Sequence, residues 1–154
     1  MSSLKSVQTA AVDAAPLVDA IVSVSERSFF AFAEPAADGT LCEPGACYEM
    51  SVAFTGPFAG IVRLLMPVAL AHDLCAAFSG AAPHELIADE AVQDLAGEFA
   101  NMVCGTWLTG LGEAVCFSLA HPVVRPAAEG AALPDGRVVL INDQPVTIHL
   151  ELVP

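Results

Sequence analysis

The chain has 154 residues, 55% of them hydrophobic and only 15% charged, with a formal net charge of −13. That composition excludes intrinsic disorder and suffices for one packed core, so residues 1–154 are read as a single domain in which residues 1–12 are expected to be flexible. Lys5, Arg27, Arg63, Arg125 and Arg137 are the only basic side chains, which leaves no footprint for nucleic acid and argues against an anionic membrane surface.

In chain order, residues from about Pro16 to Glu34 read as a helix. Leu17, Ala20, Ile21, Val24 and Phe32 recur at helical spacing, and Pro35 ends the run. Ala36-Ala37-Asp38-Gly39 is a loop. Tyr48, Met50, Val52 and Phe54 alternate with Cys47, Glu49, Ser51 and Ala53, the pattern of a half-buried strand. Thr55-Gly56-Pro57 turns the chain, and Gly60 to Met66 returns as a second strand. Pro67 suits the first turn of a helix that points Leu70, Leu74 and Phe78 inward and stops at Gly80.

A long helix is predicted from about His84 to Leu111, closed by Gly110 and Gly112. Val115 to Ala120 reads as a strand, and Pro122 to Pro134 as a Pro/Ala/Gly loop. Arg137 to Ile141, an Asn142-Asp143 turn and Pro145 to Leu152 complete the pattern as a hairpin. This order predicts an α+β domain, a largely antiparallel sheet with its helices laid on one face.

No apolar stretch reaches the roughly 20 residues of a membrane span, because Arg63, His72-Asp73 and Glu85 interrupt the candidates. Met1-Ser2-Ser3-Leu4-Lys5-Ser6 precedes no signal-peptide core. A cytoplasmic location follows as the expectation, with Cys42, Cys47, Cys75, Cys104 and Cys116 reduced. Cys42 and Cys47 lack a second Cys or His pair, so no metal site is expected. His84-Glu85 opens like a zinc-protease motif, but Ala88 stands where the second His belongs. No Walker loop, dinucleotide fingerprint or nucleophile elbow is present. The shortage of charge predicts spare apolar surface and, from it, a homodimer.

The most informative stretch lies within the long helix: Gly97-Glu98-Phe99-Ala100-Asn101-Met102-Val103-Cys104-Gly105-Thr106. At about 100° per residue, Glu90, Glu98, Asn101 and Gly105 fall within roughly 40° of Asp94. Val92, Leu95, Phe99, Val103 and Trp107 are assigned to the opposite, buried side. Asn and Gly are weak helix formers, Gly by about 1 kcal/mol relative to Ala. Their presence on one polar face is either tolerated or used. Gly105, one turn beyond Asn101, leaves the surface low enough for another backbone to approach. A Glu-x-x-Asn pair on a helix is common, so spacing alone leaves a solvated face and a functional site both open.

Context favours the site. Val52-Ala53-Phe54-Thr55-Gly56-Pro57-Phe58-Ala59-Gly60-Ile61-Val62, then Met66-Pro67 with Ala69, then Asp94-Leu95-Ala96-Gly97-Glu98-Phe99-Ala100-Asn101-Met102-Val103-Cys104-Gly105, together resemble the CheX/CheC family of chemotaxis phosphatases, CheX-like members above all. The following strand and Pro122 fit as well, so the resemblance runs from about Ser25 to Leu152. It implies the CheC-like fold and dephosphorylation of a CheY-like response regulator. By the resemblance, the catalytic roles fall to Glu98 and Asn101, with Asp94 and Gly105 as docking residues.

Some family members carry two such sites. Here Glu26-Arg27-Ser28-Phe29 puts Phe29 where the first helix would need Asn, which implies one site. Trp107 and the Pro/Ala-rich stretch after Val124 depart from the family pattern, and Trp107 is assigned to the core. The resemblance implies no cofactor of the chain's own, since Mg2+ belongs to the regulator. The alternative function is a module of the same fold that binds a signalling partner without turnover.

Overall fold

A computed structural model describes residues 15–37, 45–81, 87–112, 116–128, 131–133 and 135–153. Among these, the order is α1 (Ala15–Phe29), β1 (Ala33–Pro35), β2 (Cys47–Thr55), β3 (Ala59–Pro67), α2 (Val68–Ser79), α3 (Asp89–Gly110), β4 (Ser118–Leu119), β5 (Val123–Pro126), β6 (Arg137–Ile141) and β7 (Gln144–Val153). The expectations for residues 1–12, Cys42 and His84-Glu85 fall outside the described residues.

The seven strands form one sheet in the order β1-β6-β7-β3-β2-β4, with β5 also paired to β2. Every pairing is antiparallel. The predicted alternation places the core. Tyr48, Met50, Val52 and Phe54 are buried, and β3 lays Met66, Leu64, Val62 and Gly60 directly opposite them. Val146, Ile148, Val139 and Ile141 extend this face across β7 and β6. The three helices bury Leu17, Ile21, Leu70, Leu74, Phe99 and Val103, among others, in the same cluster. The other face carries Ser51, Ala53, His149 and an ion pair from Arg63 to Glu151 at 2.5 Å.

Both hairpins match their sequence signals. Asn142 and Asp143 take φ of 49° and 65°, the left-handed pair that a tight two-residue hairpin turn demands and that Asn and Asp tolerate. In the β2–β3 hairpin the glycines serve close approach. A Cβ on Gly60 would sit 2.6 Å from the Glu151 carbonyl oxygen, and one on Gly56 2.7 Å from the Phe117 ring. Pro67 caps α2, and Gly80 ends it with φ 71°.

Four boundaries differ from the pattern. Helix α1 ends at Phe29, not near Glu34, because Phe30 enters the left-handed region (φ 55°) and the Ala31 N–H donates to the Ser25 carbonyl. This closure is one residue wider than the Schellman motif, whose bond joins residues five apart, and it puts Phe in the left-handed place that glycine usually takes. Phe32 is therefore 63% exposed and its backbone is clipped to the β6–β7 turn. Its N–H donates to Asn142 Oδ1, and its carbonyl accepts from the Asn142 N–H.

Phe78 is 55% exposed, since eight residues at 3.6 per turn drift about 80° from Leu70. Its ring still leans on Phe29, with centroids 5.4 Å apart. The long helix starts at Asp89, with Ile87 and Ala88 outside it. Finally, the stretch after Pro122 is not all loop: Val123–Pro126 is a strand, while β4 shrinks to Ser118–Leu119.

Trp107 is a core residue, 2% exposed, with its ring edge-on to Phe54 at 5.4 Å. Its indole N–H finds no acceptor among the described residues. Cys104 is fully buried in the same helix, and burial pushes its thiol up to about 12. The sign follows from linkage: the unfolded thiol loses its proton near its ordinary value of 9.0, while the folded one keeps it. Stability is thus undiminished below that value and falls as pH rises from there towards the folded value. Alkaline urea titrations should show a shallower loss for Cys104→Ala than for the native chain. Parallel curves would contradict the assignment.

Candidate functional site

Helix α3 presents the Glu-x-x-Asn pair. Its first turn holds Asp89 and Glu90, whose charges suit the positive end of the helix dipole. Val92, Phe99, Val103 and Trp107 are buried, as the periodicity predicts. Leu95 is only half-buried, because it sits about 100° from Asp94, at the margin of the stripe rather than across from it. Ala96, Gly97, Ala100, Cys104 and Leu108 widen the buried face, which lies on β2, α1 and α2. This packing holds the backbone of the pair rigid. Phe99, between Glu98 and Ala100, meets Phe29 of α1 at 5.2 Å in an edge-to-face contact. Phe29 is 1% exposed, so the first helix carries core where a second amide would have to stand.

Glu90, Asp94 and Glu98 are exposed, and Asn101 is half-buried. Among the described residues neither the Glu98 carboxylate nor the Asn101 amide has a hydrogen-bond or ion-pair partner. Both are therefore available to another molecule. The chain between β4 and β5 explains why Asn101 is the less exposed of the two. A Cβ on Gly97 would lie 3.3 Å from Pro122 Cγ and 3.3 Å from Val124 Cγ2, and one on Gly105 would lie 4.0 Å from Leu119 Cδ2. Gly97 and Gly105 flank Asn101 by one turn on either side, so this segment runs along its flank. Periodicity could not have found it, because the neighbour comes from a stretch whose sequence reads as loop.

Gly105 therefore faces the chain's own Leu119 with room to spare. Gly105→Ala should stabilise the helix by up to about 1 kcal/mol, read as a raised thermal midpoint. A drop in binding of the CheY-like regulator that the resemblance implies, seen with the same variant, would locate that partner's backbone there. Among the described residues no three His, Cys, Asp or Glu side chains gather into a metal site, and no helix is long and apolar enough to cross a membrane.

The family model of the chemotaxis phosphatase CheX matches residues 48–141, from the first residues of β2 through the pair to the end of β6. This chain belongs to the CheX family. Solved structures agree on the fold. A chemotaxis protein CheX from Desulfovibrio desulfuricans superposes with a TM-score of 0.67 at 20% identity, over 91% of this chain and 98% of that one. A CheC-like superfamily protein from Shewanella superposes with a TM-score of 0.63 at 20% identity, over 90% and 96%. A chain of the CheX–CheY–BeF3–Mg2+ complex from Borrelia burgdorferi gives 0.65 at 16% identity, over 90% of this chain and 96% of that one. No curated relative matches the sequence. The CheX match spans the Glu98/Asn101 turn and the β4–β5 segment beside it.

Proposed function

We infer that this chain is a single-site phosphatase for the aspartyl phosphate of a CheY-like response regulator. The observation that carries the reading is the unpartnered Glu98/Asn101 pair, one turn apart on a rigidly packed helix, within a chain of the CheX family. An aspartyl phosphate is already activated, and its phosphoryl group passes through a loose transition state. Positioning then supplies most of the catalysis. The Asn101 amide holds a water in line with phosphorus without itself reacting.

Glu98 cannot face a phosphate without repulsion, so its partner is the regulator's active-site Lys, through a charge-assisted hydrogen bond. A metal ion, where the reaction uses one, sits on the regulator; the solved complex from Borrelia burgdorferi contains Mg2+. Neutral Asn101 beside a single carboxylate suits this division of labour, since the chain contributes orientation and the regulator contributes cations.

The test is the lifetime of phosphorylated regulators from the source organism, with Mg2+, with and without this protein. A shortened lifetime for one of them is expected. Unchanged lifetimes at saturating protein, with binding retained, would replace this reading with that of a binding module without turnover.

A further inference from the structure

Strands β4 and β5 both pair with β2, but their registers differ by one residue. Leu119 lies opposite Phe54, and the Ala120 N–H donates to the Ala53 carbonyl at 2.8 Å. Val123 lies opposite Ser51 and Val124 opposite Met50. His121 and Pro122 thus stand together opposite Val52 alone. This is a β-bulge on an edge strand, a device that re-aims side chains. A bulge is also where a sheet tolerates proline.

The bulge has a consequence for parity. Side chains alternate along a strand, so Leu119 and Val124 would point to opposite faces of a regular one. With the extra residue both turn towards α3, as does Pro122, against Gly105 and Gly97. Those glycines bracket Asn101, so the bulge spans the flank of the Asn101 side chain. His121, between the Leu119 and Pro122 contacts, is exposed and has no partner among the described residues. The exposed stripe of α3 beside it carries Glu90, Asp94 and Glu98 and no basic residue. His121 gives this rim a nitrogen donor.

We propose that His121 is a binding and positioning residue of the site, donating an imidazole hydrogen bond to the anionic surface around the regulator's phosphorylated aspartate. The proposal rests on the function inferred above. It adds a third contact to the pair and assigns the bulge a purpose: it packs Pro122 against α3 and leaves the His121 donor on the exposed strand edge, between the residues that meet Gly105 and Gly97. A solvated histidine with no task would tolerate any polar replacement.

The experiment compares His121→Ala, His121→Gln and His121→Glu, with His149→Ala on the far sheet face as control. The probe is the CheY-like regulator of the source organism that binds the native chain, activated with beryllium fluoride and Mg2+ for affinity and phosphorylated for kinetics. His121→Ala should raise Kd and KM about five- to tenfold, the range of one lost hydrogen bond, with kcat within about twofold. His121→Gln, which keeps a donor, should recover most of the loss. His121→Glu should weaken binding by more than about 50-fold through repulsion.

His149→Ala and all thermal midpoints should stay near native. The assignment is overturned if Ala and Glu both bind like the native chain, or if Gln fails to rescue Ala. If the native chain binds the activated regulator without speeding its decay, the phosphatase reading falls and the Kd series still decides His121. If it binds no regulator, both fall.

Discussion

Asn101→Ala should lower turnover of the phosphorylated regulator by about two orders of magnitude, the scale on which loss of one preorganised hydrogen-bonding group acts. The fall should lie in kcat, with KM and the affinity for the activated regulator nearly unchanged, because an in-line water is needed only on the way to the transition state. Stability should move by no more than about 0.5 kcal/mol, since the amide makes no hydrogen bond within the described chain. Single-turnover decay of the phosphoregulator, with a urea titration beside it, measures both. A variant that keeps near-native turnover would remove Asn101 from the mechanism.

Glu98→Gln should weaken complex formation and turnover together. A charge-assisted hydrogen bond contributes roughly 1.5–3 kcal/mol, which corresponds to a loss of about 10- to 150-fold. Glu98→Lys should be worse, because it sets like charge against the regulator's Lys. The comparison that decides is Glu90→Gln. Glu90 is exposed on the same stripe two turns away, so it shares the general acidity of α3 but not the place beside Asn101. Equal effects at both positions would mean that only net charge matters and would cancel the role given to Glu98. With Asn101→Ala the pair of results separates the two functions, since one substitution should act on kcat alone and the other on binding as well.

The buried side of α3 and the placement of the pair were legible in sequence for a local reason. A helix repeats its faces every few residues, so Val92, Phe99, Val103 and Trp107 define the core side and Glu98 and Asn101 fall opposite without reference to the rest of the chain. Leu95 packs against the core but is only half-buried, because it lies at the edge of the stripe, where the degree of burial is set by neighbours. The alternation in β2 and β3 was equally local, and so was the Asn142-Asp143 turn, where the two residue types announce the backbone they can adopt.

Other features had no local signal. The end of α1 depends on Phe30 accepting a left-handed backbone that its side chain disfavours. The clip between Phe32 and Asn142 joins residues that are 110 apart in sequence. Nothing at either position marks it, and the apolar spacing continued to Phe32 as though the helix did. The segment from Pro122 to Pro126 reads as loop by its prolines. It became a strand only because the edge of β2 was open to pair with it, and only with a bulge that absorbs Pro122.

By itself, then, the sequence determined the α+β class, the two hairpins, the long helix with its buried stripe, and the Glu98/Asn101 pair on its outer face, all through periodicities of two and 3.6 residues and turn chemistry that act within a few positions. Only the tertiary structure decided what flanks that pair. Gly97 and Gly105 look alike in sequence, as two glycines on one helix. Pro122 and Val124 crowd the first, while Leu119 leaves room at the second. That difference, and the place of His121 on the strand edge between the residues that meet Gly105 and Gly97, arises from a one-residue shift in strand register, which is settled by pairing across the sheet and by no pattern along the chain.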